Sequence, residues 1–280
     1  MIKVSRTRSA AKLKGFTGTQ LETKLNNLVQ YYQDDGHTGT VNFRLKNRQV
    51  WGRAKPQLKV ESCNKCIYCE ADTGVVAHGD VEHFRPKSQY WWLAYCYDNY
   101  TFSCQICNQT YKGDTFPVQG PRLAPPTVPL TLPSDGAELK SLLQTICPDP
   151  VTTTDAAVAQ LYAKEDAELI NPYVADPEQF FAWKAIPETR EVWLVGITGS
   201  SQSSRAVKAA EDVLGLNRQE LLRLRWNAYE TLETLVLLFQ EGNFAAERQR
   251  DFLLRIRTQA DADRPFAGMT RFFLKSWGLL

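Results

Sequence analysis

Of the seven cysteines, Cys63, Cys66, Cys69, Cys104 and Cys107 lie within a 45-residue stretch, and four of these make two C-x-x-C pairs. Thiolates at that spacing form knuckles, and two knuckles meeting around one ion make the tetrahedral sulfur site that zinc favours. Cys104 and Cys107 form the second knuckle. For the first, Cys66/Cys69 and Cys63/Cys66 both satisfy the spacing. The later pair is preferred because it lies nearer the second knuckle and ends in Cys69-Glu70. Cys96 and Cys147 are expected to be buried thiols, not ligands.

The chain has three histidines, and His83 stands between the knuckles in Gly79-Asp80-Val81-Glu82-His83-Phe84-Arg85-Pro86-Lys87. His37 and His78 are given no role. The alternation of residues 80–84 predicts a strand. Asp80 and Glu82 then share one side and His83 the other, unless a bulge or strand end re-aims the ring. Two carboxylates and an imidazole so close together are costly to bury without a cation. Next come Asp98-Asn99, a short apolar strand at Tyr100–Phe102, and Ser103-Cys104-Gln105-Ile106-Cys107-Asn108, with Lys112 one turn on. Strand, loop, strand and helix, with histidine ending the first strand and an amide on the helix, is the ββα-metal outline.

From Cys66 to Pro117 the chain closely resembles HNH endonucleases, in particular the bacterial HNH proteins linked to retrons and to Septu-type antiphage defence. The likeness is carried by Cys66-Ile67-Tyr68-Cys69-Glu70, Val81 to Ser88, Tyr90-Trp91-Trp92-Leu93-Ala94-Tyr95, Ser103 to Asn108 and Tyr111-Lys112-Gly113. Weaker similarity continues at Leu169-Ile170-Asn171-Pro172, Asp176-Pro177-Glu178, Leu214-Gly215-Leu216-Asn217-Arg218 and Pro265-Phe266-Ala267-Gly268. The resemblance implies His83 as general base, a neutral imidazole taking a proton from the attacking water. It implies Glu82 and Asn108 as ligands of a catalytic divalent ion, with Asp80 a further ligand or a neighbour of the ligands. Asn99 would hold the connecting loop and so aim His83. Because the motif runs His-Asn-Asn, oxygen donors predominate and suit Mg²⁺ or Mn²⁺. The cysteine-bound zinc is then structural. Arg85, Lys87 and Lys112 are candidates for phosphates flanking the cut, or else solvated surface cations. Tyr90-Trp91-Trp92 is expected to pack in the core in preference to stacking on bases.

Several elements must position these groups. Thr19 and Glu22 have capping-box spacing ahead of Leu21, Leu25, Leu28, Val29 and Tyr32, which predicts a helix over 19–33. Residues 41–62 are expected to form one more helix interrupted by Pro56. From Pro117 to Pro150 the chain holds eight of its fourteen prolines, so a linker or extended wrap without regular structure is expected. Asn217 and Glu220 have cap spacing before a stripe of Leu221, Leu224, Ala228, Leu232, Leu235 and Phe239. Helices are also predicted over 201–214, 245–260 and from Pro265, and a small hairpin from Phe180–Trp183 and Val192–Val195. The expected class is α+β, mainly helical. A basic N-terminal segment (1–62) precedes a ββα-metal core stapled by zinc (63–117), a Pro-rich linker (118–155) and a helical C-terminal domain (156–280).

A 280-residue chain with 43% hydrophobic and 23% charged residues is an ordinary globular protein, which excludes wholesale disorder. No apolar run approaches the ~20 residues of a membrane span. The basic N-terminus lacks a following apolar core and cleavage site, so the chain is read as cytoplasmic, with reduced thiols. Net charge is +2, yet residues 1–65 carry 13 Lys and Arg against 4 Asp and Glu. Such a segment faces a polyanion or is simply solvated. The expected partner is DNA, with RNA an open alternative. The resemblance adds an ABC/SMC-like ATPase, since this chain has no G-x-x-x-x-G-K-[ST] loop of its own. The competing reading is an inactive zinc-stabilised nucleic-acid-binding or adaptor module.

Overall fold

The computed structural model describes residues 1–45, 47–74 and 77–280. Helix α1 (Gly18–Asp34) buries Leu21, Leu25, Leu28 and Val29, each contributing roughly 1.5–3 kcal/mol of apolar burial. Its start differs from the expected capping box. The helix begins after Thr17, whose hydroxyl donates to Asp149, and the Gly18 N–H donates to the same carboxylate at 2.6 Å. A carboxylate from far along the chain thus serves the positive end of the helix.

Pro56 opens a helix where an interruption was expected. A 3₁₀ turn at Trp51–Ala54 runs into α2 (Lys55–Glu61), with Pro56 in its first turn, where the missing N–H costs nothing. Helix α2 lies against a two-stranded antiparallel sheet, β1 (Asp80–His83) and β2 (Tyr100–Ser103), in the register Asp80↔Ser103, Val81↔Phe102, Glu82↔Thr101 and His83↔Tyr100. Leu13, Phe16, Ala54, Leu58, Val81, Tyr97, Tyr100 and Phe102 close a small core between them. A wide π-type turn, Ile106–Lys112, follows β2.

The Pro-rich stretch is a wrap, and it does contain a regular element. Helix α3 (Gly136–Ile146) is capped by Asp135, which accepts from Ala137 and Glu138 N–H at 2.8 and 3.0 Å. Leu143 and Ile146 bury it on the main core. Cys147, directly after α3, is disulfide-linked to Cys96 in the loop before β2, with Cα atoms 5.6 Å apart. The two are therefore bonded to each other and are not the separate thiols expected.

Helix α4 (Asp155–Tyr162) leads to the hairpin of β3 (Phe181–Ile186) and β4 (Glu191–Gly196). Helices α5 (Ser201–Asp212), α6 (Gln219–Glu241), α7 (Ala246–Arg257) and α8 (Ala267–Ser276) complete the chain. Asn217 does not cap α6. Its amide exchanges hydrogen bonds with Leu194 N–H and C=O at 2.9 and 3.0 Å, standing in for a neighbouring strand beside β4. Of the expected stripe of α6, Leu221 and Leu232 are buried and Ala228, Leu235 and Phe239 pack against the core, while Leu224 is exposed; Leu222, Arg225, Trp226, Tyr229 and Val236 widen the buried face. Tyr90, Trp91 and Trp92 are core residues, with Trp91 stacked on Tyr32 at 4.1 Å between ring centres. One apolar cluster extends from α1 through these aromatics to α8.

Candidate active site and metal centre

The knuckles converge. One sulfur each from Cys66, Cys69, Cys104 and Cys107 lies within 4.8 Å of all the others, and Cys63 stays outside the group, so the later register holds. The Cys107 N–H points at Cys104 Sγ (3.4 Å), and the Glu70 N–H closes the first knuckle on Cys66 C=O at 2.9 Å. Burial pushes the Cys66 thiol up. Hydrogen bonds from Cys107, Cys66 and Cys69 hold Cys104 well below the thiol range. Four sulfurs sharing one small space, with guanidinium of Arg218 3.5 Å from Cys107 Sγ, are a donor set that fits a tetrahedral metal such as zinc.

A cavity of about 400 Å³ opens beside the sheet, and Asp80, Glu82, His83, Lys87 and Asn108 all line it. His83 ends β1 and lines the same cavity as the two carboxylates. His83 Nε2 sits 3.0 Å from Ala94 C=O. A carbonyl only accepts, so Nε2 carries the proton and Nδ1 keeps its lone pair. Trp51 and Tyr100 hold the ring edge-on at 4.9 and 5.1 Å. Burial, then the Lys87 charge, lowers the imidazole pKa to about 3 against one favourable bond to Ala94, so the ring is neutral at pH 7.

The loop between the strands is tied by Asn99. Its Oδ1 accepts from Arg85 N–H at 2.8 Å, and its Nδ2 donates to Arg85 C=O at 2.9 Å and Leu93 C=O at 3.3 Å. These bonds fix the loop that carries Ala94, and Ala94 fixes His83.

Glu82 and Lys112 are both buried, with Lys112 Nζ 2.6 Å from Glu82 Oε1 and donating to His83 C=O at 3.1 Å. The close approach is a buried ion pair. Burial raises the Glu82 carboxyl even beside this ammonium. Asp80 Oδ2 accepts from the Asn108 and Gln109 amides at 3.0 and 2.8 Å. The Glu82 carboxylate and the Asn108 amide beside Asp80 are hard oxygen donors of the kind Mg²⁺ or Mn²⁺ takes. Among the described residues, however, the cysteine quartet is the one group of three or more His, Cys, Asp or Glu side chains whose ligand atoms gather within 4.8 Å.

Two of the three cations expected at flanking phosphates are placed elsewhere. Arg85 is buried in an ion pair with Glu165 at 2.6 Å and lies over the Tyr162 ring at 3.7 Å. Lys112 is spent inside the site. Both serve internal carboxylates because a buried charge without a partner is costly. Lys87 alone of the three lines the cavity, 5.4 Å from the Trp51 ring. Trp51 and Lys55 are cavity residues that motif reasoning missed. The available signal was a tryptophan within the basic run ahead of the knuckles.

No helix of the described residues is long and apolar enough to cross a membrane. No protein-family profile matches the chain. Septu protein PtuB of Bacillus mycoides (strain KBAB4) is 36% identical over 78 residues, covering 23% of this chain and 26% of that protein. The chain is thus similar to PtuB over about a quarter of its length, and spans about a quarter of that relative.

Proposed function

We propose that the protein is an HNH endonuclease hydrolysing phosphodiester bonds in DNA, and that it acts in antiphage defence beside an ABC/SMC-like ATPase. One observation carries the reading: a neutral histidine, its proton parked on Nε2 by Ala94, shares a cavity with Asp80, Glu82 and Asn108. His83 Nδ1 accepts the proton of a water as its oxygen attacks phosphorus, and the bond to the 3′ oxygen breaks. Asn99 keeps the loop, and hence the ring, in register for that transfer. A Mg²⁺ or Mn²⁺ ion held by Glu82 and Asn108, with Asp80 beside them, would supply charge neutralisation for the phosphate and the departing oxygen. Lys112 balances Glu82 from behind, and Lys87 at the mouth offers the backbone a cation. The defence role rests on the likeness to PtuB. The ATPase rests on analogy alone.

The test incubates the protein with supercoiled plasmid and with RNA in Mg²⁺, Mn²⁺ or EDTA. Cleavage of DNA with either ion, lost in EDTA and in His83→Ala with zinc content unchanged, is expected. Nucleic-acid binding without cleavage in every condition would instead support the adaptor reading, and undiminished cleavage by His83→Ala would remove the assigned base.

A further inference from the structure

The start of α6 brings the Arg218 guanidinium to the cysteine quartet and buries that of Arg225 two turns on. Arg218 Nη1 donates to Cys107 Sγ at 3.5 Å and to Gly215 C=O at 3.1 Å. Arg225, two turns on, is 1% exposed; it donates to Leu216 C=O at 2.7 Å and its Nε has no partner. Burial lowers the Arg225 guanidinium pKa, while negative charge at Cys69 and Glu70 opposes that shift. Glu70 is already matched by the Met1 amino group at 2.9 Å and Lys65 at 3.6 Å. The segment before α6 is fitted to the same knuckle. Gly215 has φ +59, and a Cβ there would meet the Tyr111 ring at 2.4 Å, in the helical turn that carries Cys107.

Removing the counter-charge of a buried cation is strongly destabilising. Four thiolates around a divalent ion carry a net double negative charge, and two arginines match it. We propose that Arg218 and Arg225 are the built-in counter-charge of a divalent-metal tetrathiolate centre, so that metal loading and the seating of α6 on the knuckles are one coupled event. The Leu214–Arg218 segment is then a sensor of an occupied centre as well as a packing element. The proposal rests on the quartet holding a divalent ion and is independent of the nuclease reading.

The experiment titrates Zn²⁺ against a chelator, and follows the Co²⁺ spectrum, in the full chain and in Arg218→Gln, Arg225→Met and Arg205→Gln. Arg205 pairs with Asp166 at the surface and serves as control. Arg218→Gln and Arg225→Met are expected to bind roughly 10–100-fold more weakly, the range typical of lost supports to metal ligands, and the control unchanged. Should Arg225→Met fail to fold, the half-exposed Arg218 decides. Arg218→Lys should regain part of the affinity by keeping the charge, and no gain over Arg218→Gln would show mere packing and overturn the proposal. Amide exchange over residues 219–226 should accelerate on zinc removal ahead of the β3–β4 hairpin, and unchanged exchange overturns the coupling. Wild-type chain that binds neither ion sinks the metal reading and this one with it. Wild-type chain that binds while both variants bind equally well sinks this one alone.

Discussion

Asn99 offers the sharpest test of how the loop aims His83. Asn99→Ala deletes the three hydrogen bonds at 2.8, 2.9 and 3.3 Å and leaves the buried Arg85 N–H without an acceptor. A net hydrogen bond contributes about 0.5–1.5 kcal/mol, and a stranded buried donor costs about 1–3 kcal/mol. A loss near 3 kcal/mol is therefore expected, read as a lower urea midpoint at unchanged slope. Asn99→Asp separates the two halves of the amide. It keeps the acceptor for Arg85 N–H but turns an oxygen toward the Arg85 and Leu93 carbonyls, where only a protonated carboxyl can donate. The folded state then favours the protonated form and raises that carboxyl above its unfolded value near 3.9. With more protons bound folded than unfolded, stability is gained as pH falls toward ~4. The aspartate deficit, measured against wild type, should narrow on acidification while the alanine deficit stays flat. An alanine cost under about 1 kcal/mol, or an aspartate deficit that widens in acid, would refute the assigned bonds.

Arg85→Met strands Glu165, which also takes Tyr90 O–H and Leu123 N–H, and should cost about 3–5 kcal/mol in thermal or urea unfolding. Adding Glu165→Gln should recover part of it, and a purely additive double variant would argue against the pair. Below the ordinary histidine value of 6.5 the unfolded chain binds a proton that the buried His83, lowered to about 3, refuses, so stability falls as pH drops through that window. His83→Asn should flatten this acid decline by up to about 1.4 kcal/mol per pH unit, and identical slopes would show that the ring is not held neutral. Cys63→Ser should keep one zinc per chain by elemental analysis, whereas Cys104→Ser should lose it together with solubility. Equal metal loss in both would restore the earlier register. Lys87→Ala should weaken DNA binding and reduce the salt slope by about one, and an unchanged slope would mean that Lys87 makes no phosphate contact.

The readable parts of this sequence were local in kind. Cysteine spacing marked the knuckles, alternation marked β1, and apolar periodicity marked most helices. The misses share a physical cause, namely partners far along the chain. The cap expected at Thr19 gave way to a start at Thr17 tied to Asp149, 132 residues away, and Asn217 was drawn to β4. Arg85 and Lys112 look like surface cations in the sequence because nothing nearby shows that Glu165 and Glu82 will be buried beside them. Helix α3 was hidden by prolines at 133 and 148 that flank it without entering it. The cavity was legible in its acids and histidine. Trp51 and Lys55 reach it only through the packing of α2 on the sheet.

The buried carboxylate at Glu70, next to a knuckle cysteine, takes a hydrogen bond from the Gly268 N–H, 198 residues downstream. The ribosome adds about 5–20 residues per second, so roughly 10–40 s separate synthesis of the first knuckle from arrival of that donor. During this interval the thiols are exposed to whatever metal or oxidant the nascent chain encounters.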